Sequence, residues 1–343
     1  MKFATAPAPH WRPAADVAAV MRQVLYALAP AVAAYTFFFG PGLLLNIVVA
    51  TAAALATEAL ALRLRARPAR VFLSDGSAVV TAVLFAFCLP PLTPWWITVT
   101  GIVFAVGVAK HLYGGLGYNL FNPAMAGYLV VLVAFPGKMT MWLPPTTGDL
   151  DYQSLSLWQT LQYTATASLP AGFEFDAVTR ATPLTVVRTE LGLMRTMSEI
   201  RVNPVFGDFG GVGWEWIGNF LTLGGMWLLY KGIIRWQIPA AMIVSLMACA
   251  LVFYLTDPET HPSPLFHLYA GGTLLGAFFI ATDPVSSTVT DRGRLIYGAG
   301  CGVLTYAIRT WGGYPDGVAF AVLLMNMAVP LIDRHTRPRI YGH

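Results

Sequence analysis

Gly76-Ser77-Ala78-Val79-Val80-Thr81-Ala82-Val83-Leu84-Phe85-Ala86-Phe87-Cys88-Leu89-Pro90-Pro91 is as apolar as a membrane span but too short to be one. Glycine opens it and two prolines close it, so a helix there runs no further than 77–89. At 1.5 Å per residue it reaches about 20 Å, against a bilayer core of about 30 Å. Extended backbone must complete the crossing, and at membrane depth it persists only where protein or a cavity satisfies its polar groups. The pattern recurs. Gly271-Gly272 opens an apolar stretch that stops at Asp283-Pro284. In each half an aromatic residue and two glycines follow later, as Tyr113-Gly114-Gly115 and Trp311-Gly312-Gly313. Each is succeeded by another apolar segment, from Asn122-Pro123 and from Asp316-Gly317. Interrupted segments at corresponding places in two halves point to a central binding site.

The rest of the 343 residues fits a membrane protein. Hydrophobic residues make up 56% and charged residues 11%, where a soluble domain averages about 25% charged. Mean hydropathy is +0.61. Ten segments emerge: 21–39, 43–62, 77–89, 95–109, 122–135, 214–230, 238–255, 267–282, 294–310 and 316–332. They divide the chain into an N-terminal segment (1–20), a five-helix half (21–135), a long loop (136–213), a second five-helix half (214–332) and a tail (333–343). Five crossings per half invert the second half relative to the first. With the N-terminus cytoplasmic, fifteen of the twenty-one Lys and Arg residues fall on the cytoplasmic side, Lys110 among them. Five of the other six lie in the loop, and long loops translocate regardless of charge; the sixth is Arg309. The expected fold is an all-α polytopic membrane protein of about ten transmembrane helices in two inverted five-helix repeats, with one extracytoplasmic loop and both termini cytoplasmic. A net charge of +4 is too small to suggest a nucleic-acid partner.

Polar groups at the breaks are the central candidates: Asp75, Asn119, Asn122, Thr282, Asp283 and Asp316. Charges near membrane depth are expensive and usually face a cavity. Singly, each also reads as a helix cap or turn residue. Glu58 is expected to pair with the Arg63–Arg67 run. Cys88, Cys249 and Cys301 lie singly, without a CxxC, so this chain alone does not supply four ligands to an iron–sulfur cluster. His111, His261 and His267 fall at segment ends, which disfavours a bis-histidine haem.

The loop contains Asp176-Ala177-Val178-Thr179-Arg180-Ala181-Thr182-Pro183-Leu184-Thr185. Threonine followed by proline is a helix start, and Leu184, Val187, Leu191 and Met194 keep helical spacing over 184–197. The Thr182 hydroxyl would then sit where free N–H groups and the positive dipole end favour an anion, with Arg180 able to add a charged contact. The residues alone leave a plain cap and a phosphate site both open.

The run Asp-x-x-Thr-x-Ala-Thr resembles the flavinylation motif of the Rnf and sodium-pumping NADH:quinone reductase families. The segments 117–125, 135–145 and 281–286 resemble the same families, so the likeness spans nearly the whole chain. The short N-terminal segment is closer to the Rnf D-subunit family than to the quinone-reducing pump's B subunits. The resemblance implies FMN joined through its phosphate to Thr182 by a flavin transferase, with Asp176, Thr179, Arg180 and Ala181 completing the motif. Arg180 stands where many members have glycine. A second, non-covalent flavin, riboflavin in the family, is implied between the halves. So are electron relay within an NADH/ferredoxin complex coupled to Na⁺ or H⁺ transport, partnership with A, B, C, E and G subunits, and residence in a bacterial inner membrane with the loop periplasmic. A secondary transporter or channel without redox cofactor is the rival reading of the inverted halves. A purely structural anchor would leave the loop motif unexplained.

Overall fold

The structure is a computed structural model and describes residues 16–146 and 155–337, apart from the side chains of residues 70, 71, 175 and 176. Among the described residues the secondary structure is helical, with two isolated bridges, Trp142 to Arg180 and Phe206 to Gly211. Five of the described helices are long and apolar enough to cross a membrane: Val17–Phe39, Gly42–Leu64, Trp95–Leu112, Gln237–Thr256 and Val318–Thr336. Large apolar side chains such as Phe37, Val48, Leu60, Val244 and Leu331 stand exposed along them, while Asn46, Glu58, Lys110, Arg309 and Asn326 are buried. Water would not tolerate that distribution; a lipid solvent does. This is the fold of a polytopic membrane protein.

The other expected segments are shorter, broken or more polar. Ser77–Cys88 and Pro123–Ala134 have 12 residues each and Trp214–Tyr230 has 17. Asp291–Trp311 has 21, but carries Asp291, Arg292, Arg294 and Arg309. The stretch 267–282 is not one helix. Pro264–Tyr269 ends in extended backbone at Ala270, Gly271 turns at φ +68°, and the chain resumes at Thr273–Leu275 and winds through the wide turns of Gly276–Ile280. After Ser77–Cys88 the backbone is likewise extended at Leu89.

Buried side chains satisfy the backbone at these breaks. The Asn46 amide and the Thr93 hydroxyl both donate to the Pro90 carbonyl, at 3.0 and 2.7 Å. Arg309 donates to the carbonyls of His267 and Ala270 at 2.6 and 3.1 Å. Non-helical backbone thereby survives inside the bundle. The paired glycines differ in conformation: Gly114 and Gly115 both have positive φ, whereas Gly312 is extended.

The two halves meet along two seams. Val17–Phe39 packs on Trp214–Tyr230, and Pro123–Ala134 packs on Val318–Thr336. Small residues permit the approach: a Cβ on Gly224 would strike the carbonyl of Ala27. Within each half, Gly42–Leu64 holds Ser77–Cys88 and Trp95–Leu112, as Gln237–Thr256 holds Pro264–Tyr269 and Asp291–Trp311.

The loop folds over one end of the bundle. Thr146 N–H donates to the Phe38 carbonyl at 2.7 Å, Arg188 donates to the Gly312 carbonyl, and Glu259 accepts from Ser198 N–H at 3.1 Å and its hydroxyl at 2.8 Å. The ends of Val17–Phe39, Gln237–Thr256 and Asp291–Trp311 therefore lie at the loop face. The expected helix over 184–197 stops at Gly192, because Met194 takes φ +62° and points outward, exposed.

Candidate functional site

Two cavities lie between the halves, one under the loop and one toward the opposite face. Thr182 borders the first. It is extended (φ −67°, ψ 158°) and caps the helix Pro183–Gly192, its hydroxyl accepting from Thr185 N–H at 3.3 Å and lying 2.9 Å from the Thr185 hydroxyl. Proline at the first helical position leaves no orphan N–H there. Leu184 and Val187 anchor the helix against Met197, Ile200, Phe266 and Ala270. The loop motif is thus a rigid ledge on the second half.

The cavity beside Thr182 measures about 180 Å³. Trp142 and Trp214, 5.3 Å apart and steeply inclined to each other, wall it on one side. Tyr35 and Tyr128 come from the first half, Tyr269 and Gly271-Gly272 from the second. Asp316 borders it too, its carboxylate accepting from Gly272 N–H at 2.7 Å, Val318 N–H at 3.2 Å and the Arg309 guanidinium at 3.0 Å. A Cβ on Gly271 would meet Asp316, Leu184 and Arg309, so glycine is what lets the backbone pass here.

The second cavity measures about 110 Å³ and is lined by Asn119, Asn122, Thr282 and Asp283 together with Lys110 and Ser77. Asn122 caps Pro123–Ala134 through Met125 N–H at 3.2 Å and reaches the Ile280 carbonyl at 3.3 Å. Asp283 accepts from Val285 N–H and the Ser286 hydroxyl, and the Thr282 hydroxyl donates to the Phe278 carbonyl at 2.7 Å. The Asn119 amide donates to the Phe121 carbonyl, while its side-chain oxygen is buried without a hydrogen-bond partner among the described residues. Consecutive residues face opposite cavities: Ala124 and Met125, Phe279 and Ile280. One layer of side chains separates the two spaces.

The six polar residues read from the breaks are therefore divided. Asn119, Asn122, Thr282 and Asp283 share the second cavity, and Asp316 lies in the first. Asp75 lines neither; it lies one residue before the N-cap Gly76, and its carboxylate accepts from Ser77 N–H at 2.7 Å and its hydroxyl at 2.6 Å. In the loop motif, Arg180 is exposed and joins Trp142 through a backbone hydrogen bond of 2.8 Å. Ala181 is exposed and Thr179 half-buried. Asp176 begins within the helix Phe175–Val178, and its side chain lies outside the described residues.

Sequence reading missed two buried cations. Lys110, expected as a cytoplasmic loop charge, donates to Glu58 at 2.6 Å and to Ser77 at 2.8 Å with about 2% of its side chain exposed. Glu58 pairs with Lys110 and with His111 at 3.3 Å, not with the arginine run. Arg309 donates to Thr273 at 2.8 Å as well as to Asp316. A signal existed: both cations precede an aromatic-Gly-Gly run by two or three residues, and each binds the first hydroxyl of its half's short helix.

Comparison with known proteins adds a family. The model of the NQR2, RnfD, RnfE family matches residues 4–342. A protein of Vibrio cholerae serotype O1, named as the D subunit of an ion-translocating oxidoreductase complex, is 49% identical over 359 residues, covering 100% of both chains. A protein of the same name from Aliivibrio salmonicida is 47% identical over 348 residues, covering 100% of this chain and 99% of its own. One from Pseudomonas aeruginosa is 50% identical over 338 residues, covering 98% and 94%.

Proposed function

The chain belongs to the NQR2, RnfD, RnfE family, and on that premise we propose that it is the membrane-embedded D subunit of an ion-translocating oxidoreductase complex and carries FMN on Thr182. The electron transfer would be of the Rnf type, between NADH and ferredoxin, coupled to Na⁺ or H⁺ movement. One observation carries the flavin reading. Thr182, the cap of a helix N-terminus, borders a space lined by aromatic rings from the loop and from both membrane halves.

The residues present fit the group. A phosphoester at Thr182 would put its anionic oxygens beside the Thr185 N–H and hydroxyl and at the positive end of the helix dipole. The rings of Trp142, Trp214 and Tyr269 and the bare backbone of Gly271-Gly272 offer flat apolar surface for a flat ring. Flavin supplies the ability to accept and release electrons, and the protein supplies binding, orientation and electrostatics. A second, non-covalent flavin is assigned to the inner cavity. Asn119 lines it, and its side-chain oxygen, without a partner among the described residues, would accept from the one N–H of a flavin ring if the ligand uncovered it. Thr282, Asp283 and Lys110 would hold the polar part of that ligand.

The topology proposed with this function is ten crossings in two inverted halves, termini cytoplasmic and loop periplasmic, in a bacterial inner membrane. Three findings support it. Each half holds its short helix through a buried cation, Lys110 on Ser77 and Arg309 on Thr273. The seams join segments of equal rank, first to first and last to last. The helix ends that approach the loop are those an alternating path brings to one side. Partners would be the remaining A, B, C, E and G subunits and, during maturation, a flavin transferase.

The test is mass spectrometry of the intact chain and its loop peptides, from cells that also make the transferase. A flavin phosphate adduct on the peptide containing Thr182, lost in Thr182→Val, is the expected result. A loop without adduct would overturn the covalent reading, and an adduct surviving in the variant would move it to Thr179 or Thr185.

A further inference from the structure

We propose that the loop helix Leu157–Thr166 is an interfacial anchor, whose outward face inserts into the lipid leaflet on the loop side of the membrane. This rests on the membrane fold alone and not on any flavin.

The helix is turned inside out. A capping box starts it, with the Ser156 hydroxyl accepting from Gln159 N–H at 3.3 Å and the Gln159 side chain accepting from Ser156 N–H at 2.8 Å. Helical periodicity then puts Leu157, Trp158, Leu161 and Ala165 on one face and Thr160, Tyr163 and Thr164 on the other. A helix lying on a core in water buries its apolar face. Here Thr160, Tyr163 and Thr164 are buried, while Leu157, Trp158 and Leu161 are 59%, 73% and 42% exposed. The inward hydroxyls of Thr160 and Thr164 donate to carbonyls one turn back, each at 2.9 Å, so they require no partner from the bundle. No charged residue occurs from 152 to 173. Polar inside, apolar outside and uncharged is the pattern of the spans themselves: in Gly42–Leu64, Leu44 and Val48 face outward and Asn46 is buried.

What covers that face follows from its neighbours. The helix packs on Gly42–Leu64, and Leu155 and Tyr163 join the main core of the bundle. The Tyr163 hydroxyl accepts from Lys138 at 3.3 Å. Lys138 lies one turn after Phe135, whose ring meets Trp96 edge-on at 4.9 Å. Trp95 and Trp96 at the start of Trp95–Leu112, and Phe37 near the end of Val17–Phe39, are exposed too. With Trp158 they place four exposed rings at the loop end of the first half. Tryptophan concentrates where hydrocarbon gives way to headgroups, because its ring is apolar and its N–H polar. Lipid is the occupant, since the face continues the lipid-facing surface of the span it rests on. The loop is then fastened twice, to the second half through Leu184 and Val187 and to the lipid edge of the first through this helix.

The experiment places the photoreactive side chain of benzoylphenylalanine at position 158 or 161, in cells that make the whole complex. Position 194, exposed and beside the exposed Arg195, serves for comparison. After irradiation the chain is purified and its loop peptides are read by mass spectrometry. Phospholipid adducts at 158 and 161, and their loss at 194, are the expected result. A second measurement uses the full chain, with its native tryptophans, in phosphatidylcholine vesicles brominated near the top of the acyl chains. The emission lost on going from plain to brominated lipid should be smaller in Trp158→Phe, because one quenchable ring has gone. Cross-links from 158 and 161 to another polypeptide would overturn the proposal in favour of a protein partner. Adduct yields no higher than at 194, or an unchanged loss of emission in Trp158→Phe, would overturn it in favour of a face open to water.

Discussion

The backbone N–H of Asn122 donates to the side-chain oxygen of Asn326 at 3.1 Å, across 204 positions of sequence and across the seam between the two halves. Asn326 is fully buried, and its amide also donates to the Ser286 carbonyl and the Tyr297 hydroxyl, each at 2.9 Å. One side chain on Val318–Thr336 thus fixes the start of Pro123–Ala134, the turn after Asp283 and Asp291–Trp311. The first two line the inner cavity.

Asn326→Leu should therefore loosen the seam. It leaves the Asn122 N–H and the Ser286 carbonyl unpaired, at about 1–3 kcal/mol for each buried group. The expected outcome is a lower melting temperature in detergent and loss of extractable flavin, with fluorescence at Thr182 retained. Non-covalent flavin at wild-type level in the variant would show that the inner cavity does not depend on this contact.

The Glu58–Lys110 pair makes a second case. Both side chains are about 2% exposed and 2.6 Å apart. Removing one partner strands a charge, so Lys110→Met or Glu58→Leu alone should destabilise by about 3–5 kcal/mol. The double variant should recover much of that loss, because an apolar pair has no desolvation cost. Thermal melts of the four proteins form a double-mutant cycle, and additive losses would refute direct coupling.

Gly271→Ala tests the outer cavity from the backbone side. At φ +68° an alanine is strained by at least about 1 kcal/mol, and its Cβ would lie 2.6 Å from both Asp316 and Leu184. Displacing Leu184 moves the helix that Thr182 caps. Less flavin on the denatured chain is the expected result, alongside reduced stability; full flavinylation would mean that the ledge does not need this turn.

Acid should release the loop from the bundle. Hydrogen bonds from the Ser198 N–H and hydroxyl hold the Glu259 carboxyl below the usual carboxylate range. A depressed folded pKa gives stability that is present above the unfolded pKa and is lost as pH falls through the folded one. Hydrogen exchange at Met197 and Ser198, corrected for intrinsic rates, should accelerate across the acidic carboxylate range. Glu259→Gln should remove most of that dependence, since the amide does not titrate.

Sequence alone was enough wherever the decisive chemistry is local. Thr182-Pro183 encodes a capped helix start within four residues, and Pro90-Pro91 and Gly271-Gly272 encode breaks, because proline lacks a donor and glycine tolerates positive φ. Composition was enough to require a lipid solvent. What the sequence could not supply was partnership at a distance. Lys110 reads as a loop charge until Glu58, 52 positions earlier, closes on it. Arg309 reads as an exception to charge placement until the carbonyls exposed by a broken helix surround it. Asp75 and Asp283 look alike beside their short helices, yet one binds only the first residue of its helix and the other lines a cavity. Tyr35 reads as one more apolar face residue, and only the packing of three aromatic rings around it leaves its hydroxyl buried without a partner among the described residues. Buried charges and cavities are sums over many non-local contacts, so they are decided when the helices pack and not before.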